Sequence, residues 1–205
     1  MLGMHDNRHR IPAEVLLVDV RATSSGHKGV FVEVELDEAD WDPEWKGFSV
    51  AVGELAYSSS DETKPEISVS IDVAHFDEDT LQRSFKSLSQ RFSVRVSRLY
   101  QFAELPPAKI VIEFTALTLQ TIPANLIASF LWESIKSWFL PSRGGEPTVV
   151  VLAKTTSTGR VEARIETSEE ETLREAMQTV RELLLSTDDN CGFDFDEDAT
   201  EWHRY

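Results

Sequence analysis

The stretch from Ile122 to Leu140, IPANLIASFLWESIKSWFL, constrains the fold of this chain more than any other. Leu126, Ile127, Phe130, Leu131, Ile135, Trp138 and Phe139 recur at intervals of three and four, the spacing of one helical face. Asn125, Ser129, Glu133, Lys136 and Ser137 fall together on the other face. Pro123 suits a first helical position, Thr121 an N-cap, and Pro141 with Gly144 and Gly145 a stop. Each large side chain contributes about 1.5–3 kcal/mol when fully buried, so a sheet or another helix must cover this face. A bilayer is a poor cover, because Glu133 and Lys136 would lie inside it. Nor does the polar face carry the Lys/Arg stripe of a helix lying on a membrane. The pattern predicts a core helix and no membrane association.

On either side, period-two patterns predict strands. Glu14–Thr23 and Val30–Leu36 flank a Ser/Gly-rich hairpin loop, and Phe48–Leu55 is a further short strand. In Ile67–Val73 the apolar residues alternate with Ser68, Ser70 and Asp72, and in 91–97 Phe92, Val94 and Val96 alternate with Arg and Ser. Between these two lies a short helix with Leu81, Phe85 and Leu88 on one face. Pro106-Pro107 breaks the chain. Beyond it, Ile110–Thr115 leads into the central helix, and the strands on either side of that helix should be parallel, joined by a right-handed crossover. Val149–Lys154 and Arg160–Glu166 form a hairpin, with Val161, Ala163 and Ile165 inward and Arg160, Glu162, Arg164 and Glu166 toward water. A last helix opens with the capping box Ser168-x-x-Glu171 and buries Leu173, Ala176, Met177, Val180, Leu183 and Leu184.

The expected class is α+β. An antiparallel-β-rich N-terminal half with one short helix (13–105) is followed by a C-terminal β-α-β-β-α half (108–186), whose two amphipathic helices lie on one face of a sheet. A flexible arm (1–12) and an acidic disordered tail (187–205) complete the division.

The net charge of −16 argues against a duplex-DNA binder. Residues 187–205 alone carry seven acidic side chains against one Arg. Thr80 to Ala103 contains no acid but has Arg83, Lys86, Arg91, Arg95 and Arg98, a basic island that the tail could cover until a partner displaces it. With Trp41 and Trp45, an aromatic pair among carboxylates, these five cations are the candidate partner-binding residues.

The best candidate for chemistry is His75-Phe-Asp77-Glu-Asp79 at a strand end. His75, Asp77 and Asp79 could hold a divalent metal or perform acid–base work, but Asp77 is also a natural N-cap and acids suit a first helical turn. Capping is the expected role, and no metal or cofactor is assigned. The chain has no G-x-S-x-G, C-x-x-C, H-E-x-x-H, P-loop or G-x-G-x-x-G, and Cys191, the single cysteine, sits among acids that disfavour a thiolate. With an N-terminus polar throughout, the expected location is the cytoplasm. Two functions fit: a non-enzymatic acidic adaptor, assembly or immunity-type module binding a basic protein, or a metal-dependent enzyme centred on His75, Asp77 and Asp79. Self-association is compatible with either.

Overall fold

The structure, a computed structural model, describes residues 2–3, 10–11, 14–22, 28–35, 49–102, 107–122, 147–156, 159–187 and 191–204. The central helix pattern at 123–140 and the pair Trp41 and Trp45 lie outside these residues. The chain forms two compact units: Met1–Val52 with Gln101–Glu104, and Gly53–Tyr100 with Leu105–Tyr205.

In the first unit, β1 (Leu2–Gly3) pairs antiparallel with β2 (Arg10–Ile11), so the expected flexible arm contains paired strands. The predicted hairpin is present as β3 (Glu14–Ala22) and β4 (Lys28–Glu35), antiparallel with Arg21 opposite Gly29. β5 (Ser49–Ser58) begins here, with Val50 opposite Leu2, and runs on into the second unit.

The second unit is mixed α/β, and strands dominate it. In chain order its other elements are β6 (Glu66–Asp72), α1 (Glu78–Ser89), β7 (Ser93–Phe102), β8 (Ala108–Thr115), α2 (Ala116–Thr121), β9 (Thr148–Thr155), β10 (Arg160–Thr167), α3 (Glu170–Ser186), β11 (Cys191–Asp196) and β12 (Glu201–Arg204). Eight strands lie in the order β12-β11-β10-β9-β8-β6-β7-β5. Three parallel pairs, β6–β7, β8–β9 and β10–β11, join through the antiparallel ladders β6–β8 and β9–β10, and β12 closes the series antiparallel to β11.

The antiparallel-β-rich N-terminal half also contains a parallel pair, because α1 carries the chain over from β6 to β7. Across Pro106-Pro107, β6 and β8 are neighbours in one sheet, with Ser68 opposite Glu113. One expectation changes here. The tail is not structureless, because Val161 of β10 pairs with Cys191 and Phe193 of β11 joins the core. The parallel β8–β9 pairing and the β9–β10 hairpin are as expected.

Register carries one apolar face across the sheet. Ile67, Val69 and Ile71 lie level with Val94 and Val96 on one side and with Phe114, Ile112 and Ile110 on the other. The row continues through Val150 and Leu152 to Ile165, Ala163 and Val161. Leu81 and Leu88 of α1, Leu119 of α2, and Leu173, Ala176, Met177, Val180 and Leu184 of α3 pack into the same cluster, so the three described helices cover this face. β6 and β10 run in the same direction, yet β7 and β11 lie on opposite sides of them. The crossovers through α1 and α3 therefore have opposite hands. One departs from the strong right-handed bias, and nothing in the local sequence explains it.

The second face is more closed than alternation predicts. Glu162 is only 4% exposed, and Val149, Val151 and Ala153 are buried beside it. The run TVVVLA of β9 is thus buried on both sides, as its near-continuous apolar character allows.

Thr121 is the last residue of α2, and the helix expected to start after it lies outside the described residues. α2 begins at Ala116, where Thr115 Oγ1 accepts the Thr118 N–H at 3.1 Å. The start of α3 differs from expectation. α3 is preceded by Glu169, which makes no side-chain cap, while the Glu169 N–H is satisfied by Thr167 Oγ1 at 2.9 Å. Ser168 is therefore not the cap residue. At the other end, buried Lys154 donates from Nζ to the Thr187 carbonyl at 2.6 Å, a cation at the negative end of the helix dipole.

Candidate functional site

The end of β6 turns tightly into α1, and this turn holds the sequence's best chemical candidate. Asp72, 0% exposed, accepts the Ala74 N–H on Oδ1 at 2.9 Å and bonds His75 Nδ1 through Oδ2. The Phe76 N–H returns to the Asp72 carbonyl at 3.0 Å, closing the turn. The imidazole is thus tied to the turn through Nδ1, with Nε2 as its other ring nitrogen. Such a pair can orient an imidazole for proton transfer. It is equally a means of satisfying a buried carboxylate.

Asp77 faces a different partner. Its Oδ1 accepts the Thr80 N–H at 2.8 Å and the Thr80 hydroxyl at 2.6 Å, capping α1. These bonds hold its carboxyl below the ordinary 3.8. His75, Asp77 and Asp79 are therefore not gathered on one point. Among the described residues no three His, Cys, Asp or Glu side chains are placed to hold a metal ion.

Glu78, next in the chain, anchors the start of α1 to the sheet. Its carboxylate accepts from Arg98 Nε at 3.1 Å and Nη2 at 3.0 Å, and from the Tyr57 hydroxyl at 2.6 Å. Arg98, then Tyr57, lower the Glu78 carboxyl, and the bond to Glu78 raises both the Arg98 guanidinium and the Tyr57 phenol. Tyr100 donates to Glu54 at 2.7 Å. With Ser59 N–H donating to the Val94 carbonyl at 2.8 Å, these contacts run β5 antiparallel to β7.

The basic island is thus partly neutralised by nearby acids. Arg98 pairs with Glu78, and Arg95 with Glu66. Arg83 reaches the Asp79 carbonyl and the Thr80 hydroxyl of its own helix, while Lys86 and Arg91 are exposed. The acidic tail does not cover the island. β11 and β7 stand five strand spacings apart, roughly 24 Å. Asp194 instead meets Arg164 of the adjoining β10 at 3.5 Å.

At that end of the sheet, two acidic segments distant in sequence meet. Thr172 in the first turn of α3 donates to Glu197 at 3.0 Å, so the helix start that carries Glu170 and Glu171 lies against the β11–β12 turn that carries Glu197 and Asp198. Trp202 of β12 packs edge-on to Phe195, centroids 5.1 Å apart, and donates to Thr179 at 2.9 Å. His203 Nε2 lies 3.6 Å from Asp196 and 3.8 Å from Glu201.

Sequence reasoning misses two features. By alternation Asp72 reads as one more polar residue on the outward face with Ser68 and Ser70. The available signal is D-x-x-H at a strand end, where an Asx turn brings the two side chains together. The acidic meeting of α3 with the β11–β12 turn leaves no local signal. No protein-family model, no curated protein and no solved structure matches this chain. No described helix is long and apolar enough to cross a membrane.

Proposed function

We propose that this chain is a non-enzymatic acidic interaction protein, an adaptor, assembly or immunity-type module, that works in the cytoplasm and binds a basic protein partner. The observation that carries this reading is the disposition of charge. Several cations are tied to nearby acids: Arg98 to Glu78, Arg95 to Glu66, Arg160 to Glu113 and Glu162, and Arg164 to Glu166 and Asp194. The excess of a chain at −16 remains, and exposed acids gather where α3 begins beside the β11–β12 turn. Such a surface speeds encounter with a basic partner and repels acidic ones. The test is binding of a Lys/Arg-rich peptide at low salt. Reversing Glu170, Glu197 and Asp198 to Lys should weaken it by roughly tenfold, while the same reversal at Glu62, Glu175 and Glu182 should do much less. Equal losses would mean that no localised surface exists.

A second reading, a metal-dependent enzyme using His75, Asp77 and Asp79, has only the Asp72–His75 pair in its favour, because the described residues bring no three such side chains together. A thermal midpoint that rises with Mn²⁺ or Zn²⁺, and no longer does so in His75→Ala, would favour it.

A further inference from the structure

We propose that β12 is the docking edge, and that the partner adds an extended basic segment to it as a further strand of the sheet. This rests on the basic-partner reading and specifies how such a partner is held. Among the described residues no strand lies outside β12. In an antiparallel ladder, alternate residues of an outer strand direct their N–H and C=O groups away from the sheet, so β12 presents a short hydrogen-bonding template at Glu201–His203. The acids around this edge choose the occupant. Asp196, Glu197, Asp198 and Glu201 flank it, with the helix start that carries Glu170 and Glu171 joined to them through the Thr172–Glu197 bond. A second copy brings another −16 to the same edge and is repelled, whereas a Lys-bearing strand is attracted.

Trp202 supplies a third element. Its indole is fixed by Thr179 and by Phe195, and it remains partly exposed on the helix-covered face. A rigid aromatic surface among carboxylates suits a Lys or Arg side chain on the incoming strand.

The probe is a ten-residue peptide alternating Lys and Val, compared with the same peptide N-methylated at alternate amides. Charge is identical, but the second peptide cannot extend a ladder. The parent peptide should bind with an affinity that falls as salt rises, and should slow amide exchange within 201–204. The methylated peptide should bind about tenfold or more weakly, the scale of two lost backbone hydrogen bonds. Equal binding of the two overturns strand addition and leaves the basic-partner reading standing. Binding of neither overturns both. Protection of 201–204 that grows with protein concentration in the absence of peptide also overturns the proposal, because the edge then belongs to a second copy.

Discussion

The fully buried carboxylate of Asp72 is bonded to His75 Nδ1 three residues later, across the turn that leads from β6 into α1. Burying a carboxylate is costly unless it is paired and hydrogen-bonded, so this contact stabilises the turn as well as positioning an imidazole. The two residues should behave as a coupled unit. His75→Ala should cost about 1–3 kcal/mol, the range for depriving a buried group of a partner. In a double-mutant cycle with Asp72→Ala, the coupling should reach about 0.5–3 kcal/mol by denaturant unfolding. Additive losses would show that the contact carries no energy of its own.

The start of α1 should weaken in acid. The carboxyls of Asp77 and Glu78 are held below their ordinary values of 3.8 and 4.5, so the stability they contribute is present above those values. It is lost as pH falls through them and on to the lower folded values. Asp77→Ala should lower the thermal midpoint near neutrality by roughly 2–4 °C. It should also flatten the acid limb of the midpoint–pH curve below about pH 4.5. An acid limb unchanged in the variant would mean that the cap is not linked to folding.

The C-terminal hairpin should belong to the cooperative fold. Phe193 is a core residue, and Phe195 and Trp202 pack against the same cluster. Truncation after Ser186 should cost several kcal/mol, at about 1.5–3 kcal/mol for each large side chain returned to water. Denaturant unfolding measures the loss. A truncated protein as stable as the full chain would return 187–205 to the status of a loose tail.

Thr200, in the turn between β11 and β12, has φ of 56°, a left-handed backbone conformation that a β-branched residue rarely adopts. Thr200→Gly should therefore stabilise by about 0.5–1 kcal/mol, where most loop substitutions are neutral or harmful. A loss of stability on this substitution would mean that the threonine side chain makes a compensating contact.

Local pattern by itself determined much of this protein. The alternation in Ile67–Ile71, Val94–Val96 and Val161–Ile165 identified strands and the face each buries. The three-and-four spacing from Leu173 to Leu184 identified α3 and its stripe. Asp77, followed by acids in a first turn, identified the start of α1. These features depend on residues within one or two turns of each other, where side-chain period and hydrogen-bonding options decide the backbone. Other features were decided by the tertiary structure alone. The five-residue spacing between Phe114 and Leu119 breaks the strand period, but α2 is held in place by Thr118, whose hydroxyl donates to the Glu66 carbonyl at 2.8 Å from 52 residues away. Cys191, Phe193 and Phe195 alternate with Gly192, Asp194 and Asp196, but the run of acids around them reads as a solvated tail until β10 offers a ladder and the core accepts Phe193. Glu162 and Arg164 read as solvent-facing, yet sit within ion pairs whose acids come partly from β8 and β11. A charge pattern shows which groups must be neutralised, but strand order in space sets which ones can meet. That order kept Asp194 beside Arg164 and away from the basic island of α1 and β7.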